Sequence, residues 1–427
     1  DEAATYMDYI DEGITSLFFY KSPNNHIFHS ILAKISISIW GVSQYALRFP
    51  AILFGSFNIL LIYYLTRKIS NKLTAIISCF FLSAHPLIIH YDTLARGYSI
   101  ITTCSLLLFY ACWEYKRTYN FGYLILIPIV SCVGFFTHLP FLFSFSGIIL
   151  WFLYELYKEG KEHKKYILSN LIFIFIGTFF LSLVLYTPTL ILGYGIDQFI
   201  NNKYFISSNI FGEYPGGLFS FFIRLSDYFF FKSKIICLGV FILLAVNYSK
   251  IKILSTFFIL QLIVFFIITG IMRSIPPERT LLFLLPFIII AISISISSLL
   301  KSHYKKIIFL PLIHLQFTFF IINQNMLQKY NGYPELQFII DFLKQDPLPV
   351  LVVNRSYNIC KPLKYYFQIN NITDPIDFIN FKNIRSTDLM NLDSSNYVIL
   401  NKSDKIEKNN FKIVFETNDY QILKSIN

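Results

Sequence analysis

Charge is what this chain has least of. Asp, Glu, Lys and Arg make up only 14% of its 427 residues, against roughly 25% in soluble domains. Hydrophobic residues make up 55%, and the mean hydropathy is +0.55. Together these values exclude a soluble globular enzyme and indicate an integral membrane protein. Acids are scarcer than bases, at 25 to 36, which leaves a net charge of +11. That surplus does not indicate a nucleic-acid partner, because the bases form no patch. They sit in short clusters between apolar runs, which is how topology is written in membrane proteins. Cysteine is sparse too. Cys79, Cys104, Cys112, Cys132, Cys237 and Cys360 show no CxxC spacing, and five of them lie inside apolar runs. This excludes a disulfide or zinc framework and makes them small core residues. The middles of the apolar runs hold almost nothing ionisable, with His314 and Gln261 the main polar exceptions. A proton- or ion-coupled transporter needs titratable groups near the bilayer midplane, so transport is disfavoured.

What the sequence has in abundance is apolar runs near the ~20 residues a bilayer requires. Ten are expected to span: 45–67, 73–91, 98–114, 121–137, 139–157, 167–190, 233–249, 251–271, 280–300 and 306–323. Alternate loops at 67–72, 114–117, 158–165, 248–252 and 301–306 are rich in Lys and Arg, and all fall on one side of a ten-span bundle. The positive-inside rule makes that side cytoplasmic. Both ends are then extracytoplasmic, and one further span upstream of Asp1 is expected to lead the chain out. The 47 Phe and 29 Tyr suit lipid-facing surfaces and interfacial belts.

Outside this core, three regions are expected to be organised separately. Residues 1–44 form a first external loop, opening with Asp1 and Glu2 in DEAATYMDYIDEG. Within it, residues 24–40 have helical apolar spacing interrupted by Lys34, which suits an amphipathic helix in the interface. Residues 45–323 form the transmembrane domain, whose external loop at 193–232 carries an aromatic-rich run and could serve as a lid or an anchor. Residues 324–427 form a small extracytoplasmic α/β domain, with strands at 349–354, 397–400 and 411–415 and helices near 335–344 and 359–368. The outer loops gather both signs of charge, including Asp1, Glu2, His26, His29, Arg48, His90, Asp92, Arg96, His138, Glu278 and Arg279. That points to chemistry on a charged substrate held by lipid.

DEA followed by an interfacial helix, YALRFPAILFG opening one span and HYDTLARGYS opening another together resemble the GT-C membrane glycosyltransferases. The resemblance is to the bacterial members like protein O-mannosyltransferases and the lipid A aminoarabinose transferase. It is best over 1–114 and extends more weakly to PERTLLFLLP at 277–286. It implies a GT-C-like polytopic helical fold and transfer of a sugar from a polyprenyl phosphate carrier to an extracytoplasmic lipid, glycan or protein. It also implies that an acid of the DE pair is essential, which would be Asp1 with Glu2 beside it. Where the aminoarabinose enzymes carry Lys-Pro-Pro, this chain has Asn24-Asn25-His26, so the lysine that would contact the donor phosphate is missing. His26, if charged, would partly replace it.

The chemistry of such a transfer asks for the same residue types. A general base must deprotonate the acceptor as it attacks the anomeric carbon, and cationic donors must hold the departing phosphate. Arginine suits the second task, because its planar fork matches phosphate oxygens and stays charged. Arg96 and Arg279 are the best candidates; Arg48 is a weaker one, since an arginine in LRFP can simply snorkel to lipid headgroups. Asn25, His90, Asp92 and Tyr98 are cleft-lining candidates. A divalent cation on His26, His90 and Asp92 stays open, although no tight spacing marks a ligand set. One base and a single displacement would invert the anomeric centre. Two other classes compete: a polysaccharide ligase or polymerase using a lipid-diphosphate donor, and a non-catalytic lipid or glycan transporter.

Overall fold

The computed structural model describes residues 2–19, 25–158, 161–193, 195, 217–230 and 232–299. In the C-terminal region it describes 339, 341–342, 365, 368 and five strands. Two short turns open the chain, helix α1 (Glu2–Thr5) and a π-helical turn (Tyr6–Ile10), with a 3-10 turn at Thr15–Phe18. Helices α2 (Ile27–Trp40), α3 (Gln44–Ile69), α4 (Lys72–Ala84), α5 (Pro86–Asp92), α6 (Tyr98–Thr118), α7 (Phe121–Thr137), α8 (Phe141–Lys158) and α9 (Lys161–Leu192) follow. Beyond the long loop come α10 (Gly217–Phe229), α11 (Lys234–Val246), α12 (Lys252–Met272) and α13 (Leu284–Leu299). Nine of the ten expected spans therefore meet a helix, and the tenth, 306–323, lies outside the described residues.

Four of these helices are long and apolar enough to cross a membrane: α3, α8, α9 and α12. Over the 73–91 run, α4 and α5 meet at 65°, the geometry of a broken span or a re-entrant loop. Pro86 stands at the first turn of α5, where its missing N–H costs nothing, while the residue before it is kept out of helical geometry. The starts of α3 and α4 are set by side-chain caps: Ser43 accepts the Ala46 N–H at 3.1 Å and Asn71 accepts the Thr74 N–H at 3.0 Å.

Helix α6 lies at the centre, packed on α3, α7 and α8, and is buried along most of its length. Its interior position explains its Ser and Thr content. Thr102, Thr103 and Ser105 each donate to the carbonyl four residues back, Asn58 of α3 bridges Thr103 and the Ser99 carbonyl, and Ser105 meets Ser144 of α8 at 2.7 Å. Phe109 of α6 stacks on Trp151 of α8 at 4.2 Å and packs on Phe257 and Phe287. At the basic-loop end, two buried carboxylates are each shared by two bases. Glu114 lies between Lys68 and Arg117, and Glu155 between Lys116 and Lys158.

Helix α2 turns its small and polar residues, His29, Ser30, Ala33 and Ser36, into the protein, while Ile35, Ile39 and Trp40 are exposed. In the C-terminal region, strands β1 (Val350–Asn354), β2 (Ile376–Asn380), β3 (Tyr397–Asn401), β4 (Phe411–Glu416) and β5 (Tyr420–Ser425) form one sheet in the order β2-β1-β3-β5-β4. β1 pairs in parallel with β2 and β3, whereas β5 is antiparallel to β3 and β4. Parallel neighbours need crossover connections, and the sheet is mixed. The three expected strands are present and two more join them. The helices expected at 335–344 and 359–368 fall mostly outside the described residues, as do Cys360 and His314. The remaining five cysteines are free thiols.

Candidate active site

Turns as short as α1 and the π-turn do not hold themselves together, so their position rests on contacts. The Glu2 carboxylate provides the main one. Arg48 of α3 donates to it through Nε, at 3.0 and 3.1 Å from the two oxygens, and through Nη2 at 2.6 Å. The Ala95 N–H adds a fourth bond at 2.7 Å. Glu2 thus joins the acidic segment to α3 and to the loop between α5 and α6, one residue before Arg96. Lys34 of α2 fixes the segment's far end through the Ile10 carbonyl at 2.7 Å. Asp1 lies outside the described residues.

Arg96 is buried at 4% exposure, beside Tyr98, which hydrogen-bonds its guanidinium. Burial pulls the Arg96 pKa below the usual arginine value. Tyr98 acts against that, and the charge of Arg279 adds to it. Arg279 is itself exposed, and with Tyr98 and His138 it lines a small cavity of about 10 Å³, room for one water. The two arginines therefore belong to one electrostatic neighbourhood, Arg96 buried and Arg279 solvent-facing.

Neutral imidazoles complete this neighbourhood. His26 and His138 stack at 4.3 Å with 23° between their planes, and Tyr98 meets the His26 ring edge-on at 5.1 Å. His26 Nδ1 accepts the Gly97 N–H at 3.2 Å, which leaves the proton of the neutral ring on Nε2. Burial holds the His26 pKa well below 6.5, with His138 and Arg96 adding to the lowering. Burial and Arg96 likewise take His29 and His138 down to about 3. The charge that would let His26 stand in for a lysine is absent; what it offers is a neutral donor. Gly97 permits this arrangement, because a Cβ there would run into Thr137 and crowd His26 Nδ1.

The other expected residues fall elsewhere. Asn25 is fully buried and spends its amide on the fold: it donates to the Leu17 and Phe19 carbonyls and accepts from Ser30, all at 2.9 Å. His90 stands against Tyr91 within electrostatic reach of Glu2 and Arg48. Asp92 packs its side chain against Gly55 of α3, where a Cβ would collide with it. Among the described residues, no three His, Cys, Asp or Glu side chains converge on a metal-sized site. Three contributors were not among the best candidates in the sequence reading of the site. Arg48 resembled a snorkelling residue, and His29 and His138 carried no spacing signal beyond their outer position. Helix α10 is fastened alongside, through Arg224 to Glu278 at 2.5 Å and through Tyr228 to Tyr91 at 2.6 Å, Tyr91 in turn packing on Tyr98.

Residues 23–190 match the family model described as dolichyl-phosphate-mannose-protein mannosyltransferase. Among solved structures, the fold is similar to ArnT from Cupriavidus metallidurans. In the apo state the TM-score is 0.62 at 10% identity, over 99% of this chain and 91% of that one. Bound to undecaprenyl phosphate, ArnT gives a TM-score of 0.57 at 10% identity, over 96% and 88%. The Archaeoglobus fulgidus oligosaccharyltransferase, in complex with Zn and sulfate, gives 0.54 at 13% identity, over 89% of this chain and 58% of that one. No curated protein matches. The chain is an integral membrane protein of GT-C fold.

Proposed function

We propose that this protein is a membrane glycosyltransferase that moves a sugar from a polyprenyl-phosphate donor to an extracytoplasmic lipid, glycan or protein, inverting the anomeric centre. The observation that carries the reading is the tie from Glu2 through Ala95 to the Arg96 loop, with Arg279 beside Arg96. It couples the acidic motif to the two cations suited to a phosphate. Match to the mannosyltransferase family over 23–190 and likeness in fold to a protein crystallised with undecaprenyl phosphate support it.

In this reading Asp1 is the general base. It takes the proton of an acceptor hydroxyl or amine as that atom bonds to the anomeric carbon, and the carbon–oxygen bond to the phosphate breaks. Charge grows on the departing phosphate, where Arg96 and Arg279 stabilise it; loss of one such donor typically costs ~10²–10³ in rate. The neutral His26 supplies hydrogen bonding without adding a third cation beside them. Glu2 has both oxygens engaged by Arg48 and Ala95 and acts as a tether rather than as a base. Residues 1–44 and 324–427 form the extracytoplasmic parts around the 45–323 membrane domain.

Mass spectrometry of envelope glycolipids and glycoproteins from cells with and without the gene tests this reading. Loss of one sugar from one acceptor class is expected and would name both. Unaltered glycosylation, with accumulation of an untransported lipid on one leaflet, would favour the transporter instead.

A further inference from the structure

The C-terminal region touches the head of the chain at two described residues. The Tyr365 side chain is 3% exposed and lies in a buried cluster with Ala3, Tyr6, Met7 and Ala95. Its ring packs on Tyr6 at 5.1 Å. Gln368 donates to Asp11 Oδ2 at 3.2 Å, and the Tyr6 hydroxyl donates to the other oxygen of the same carboxylate at 3.2 Å. Ala3 follows Glu2, and Ala95 precedes Arg96. One tyrosine ring therefore packs on the acidic-motif segment, within the same buried cluster that holds Ala95 of the loop bearing the buried arginine. This cluster is separate from the large core formed by the helical bundle.

We propose that Tyr365 and Gln368 are positioning residues, a clamp by which the C-terminal region holds the acidic-motif segment in register with Arg96. The proposal rests on the reading of that segment as the bearer of the catalytic base. α1 and the π-turn span four and five residues, too few to persist unaided. The aromatic pair and the Asp11 bridge hold this segment at Tyr6 and Asp11, in addition to the Arg48 bonds at Glu2. Because the clamp lies outside the main core, its loss should loosen residues 2–18 without melting the bundle. A small displacement of a catalytic group can cost ~10²-fold in rate.

The test compares wild type with Tyr365→Ala, Tyr365→Phe and Gln368→Ala in the full chain, reconstituted in lipid nanodiscs. Hydrogen exchange of residues 2–18, the melting temperature and transfer from a polyprenyl-phosphate sugar are read in parallel. In Tyr365→Ala, faster exchange confined to 2–18 is expected with an unchanged melting temperature, a fall in kcat of ~10²-fold and donor KM nearly unchanged. Tyr365→Phe, which keeps the ring, should restore both exchange and kcat, and Gln368→Ala should show a weaker form of the same pattern. Unchanged exchange in 2–18 would overturn the clamp. So would a lowered melting temperature with exchange raised throughout the helices, which would make Tyr365 a general stability residue. Should the wild type transfer no sugar while exchange in 2–18 responds as expected, the contact stands and the glycosyltransferase reading fails.

Discussion

Glu2 is held by a forked arginine and a backbone amide, so its removal should act through what it holds. Glu2→Gln keeps the shape but loses the charge that makes the Arg48 bonds strong. Transfer is expected to fall by ~10-fold or more through misplacement of the acidic segment, while binding of a polyprenyl-phosphate donor persists. Steady-state kinetics with a binding assay separates the two. Arg96→Lys removes the fork but not the charge and should raise donor KM as well as lower kcat. The buried histidines make a pH statement. In the folded chain His26, His29 and His138 hold their pKa values far below 6.5, whereas unfolded they titrate near that value. The unfolded state therefore binds more protons across the interval from about 6.5 down to about 3, and stability falls as pH drops through it. Melting temperature measured from pH 7 to pH 4 should decline, and the decline should be shallower in His138→Asn. Residue types were legible in the sequence here, but partners were not. Arg96, His26 and Tyr98 form a group only because Gly97 lets the backbone approach His26, and a lone glycine in ARGYS does not reveal that.

Elements were read with more success because hydropathy is a property of a segment. The ends of α3, α7 and α12 lie within three residues of the expected spans. The 65° break between α4 and α5 was concealed because both halves are apolar, although His85-Pro86 marks where it falls. Helix α6 shows the opposite case: its polar content reflects burial in protein along most of its length, which a hydropathy window cannot distinguish from weak membrane affinity. Close approach between helices was likewise invisible in sequence. Gly147 of α8 faces Gln261 of α12, whose amide donates to the Phe143 carbonyl at 2.8 Å, and a Cβ at Gly147 would overlap the Gln261 side chain. Gly147→Val should displace that buried amide and lower stability by ~1–3 kcal/mol, read as a lower melting temperature in detergent. Gln261, a polar exception in an apolar run, thus packs α12 against α8.

At the scale of the whole molecule, the alternation of basic loops predicts an orientation across the membrane. The buried Glu114 and Glu155 pairs mark the basic-loop end, and the acidic motif, His26, His138 and Arg279 lie at the other. Single cysteines at exposed positions Ile14 and Tyr157 should be labelled from opposite sides by a membrane-impermeant maleimide, Ile14→Cys in intact cells or spheroplasts and Tyr157→Cys only after lysis. The C-terminal sheet was half legible. Three strands carried apolar patterns, while Ile376–Asn380 and Tyr420–Ser425 are broken by Asp377 and by Gln421 and Lys424, and only their neighbours in the sheet define them.

The most direct measurement is single-turnover transfer by purified protein in nanodiscs, followed as release of polyprenyl phosphate from a labelled polyprenyl-phosphate sugar, for wild type and Asp1→Asn. Wild type should release the carrier with an inverted sugar product. Asp1→Asn should bind the donor as tightly yet release none above background. Retained configuration would contradict a single displacement, and equal release by wild type and Asp1→Asn would contradict the carboxylate at the head of the chain as the base.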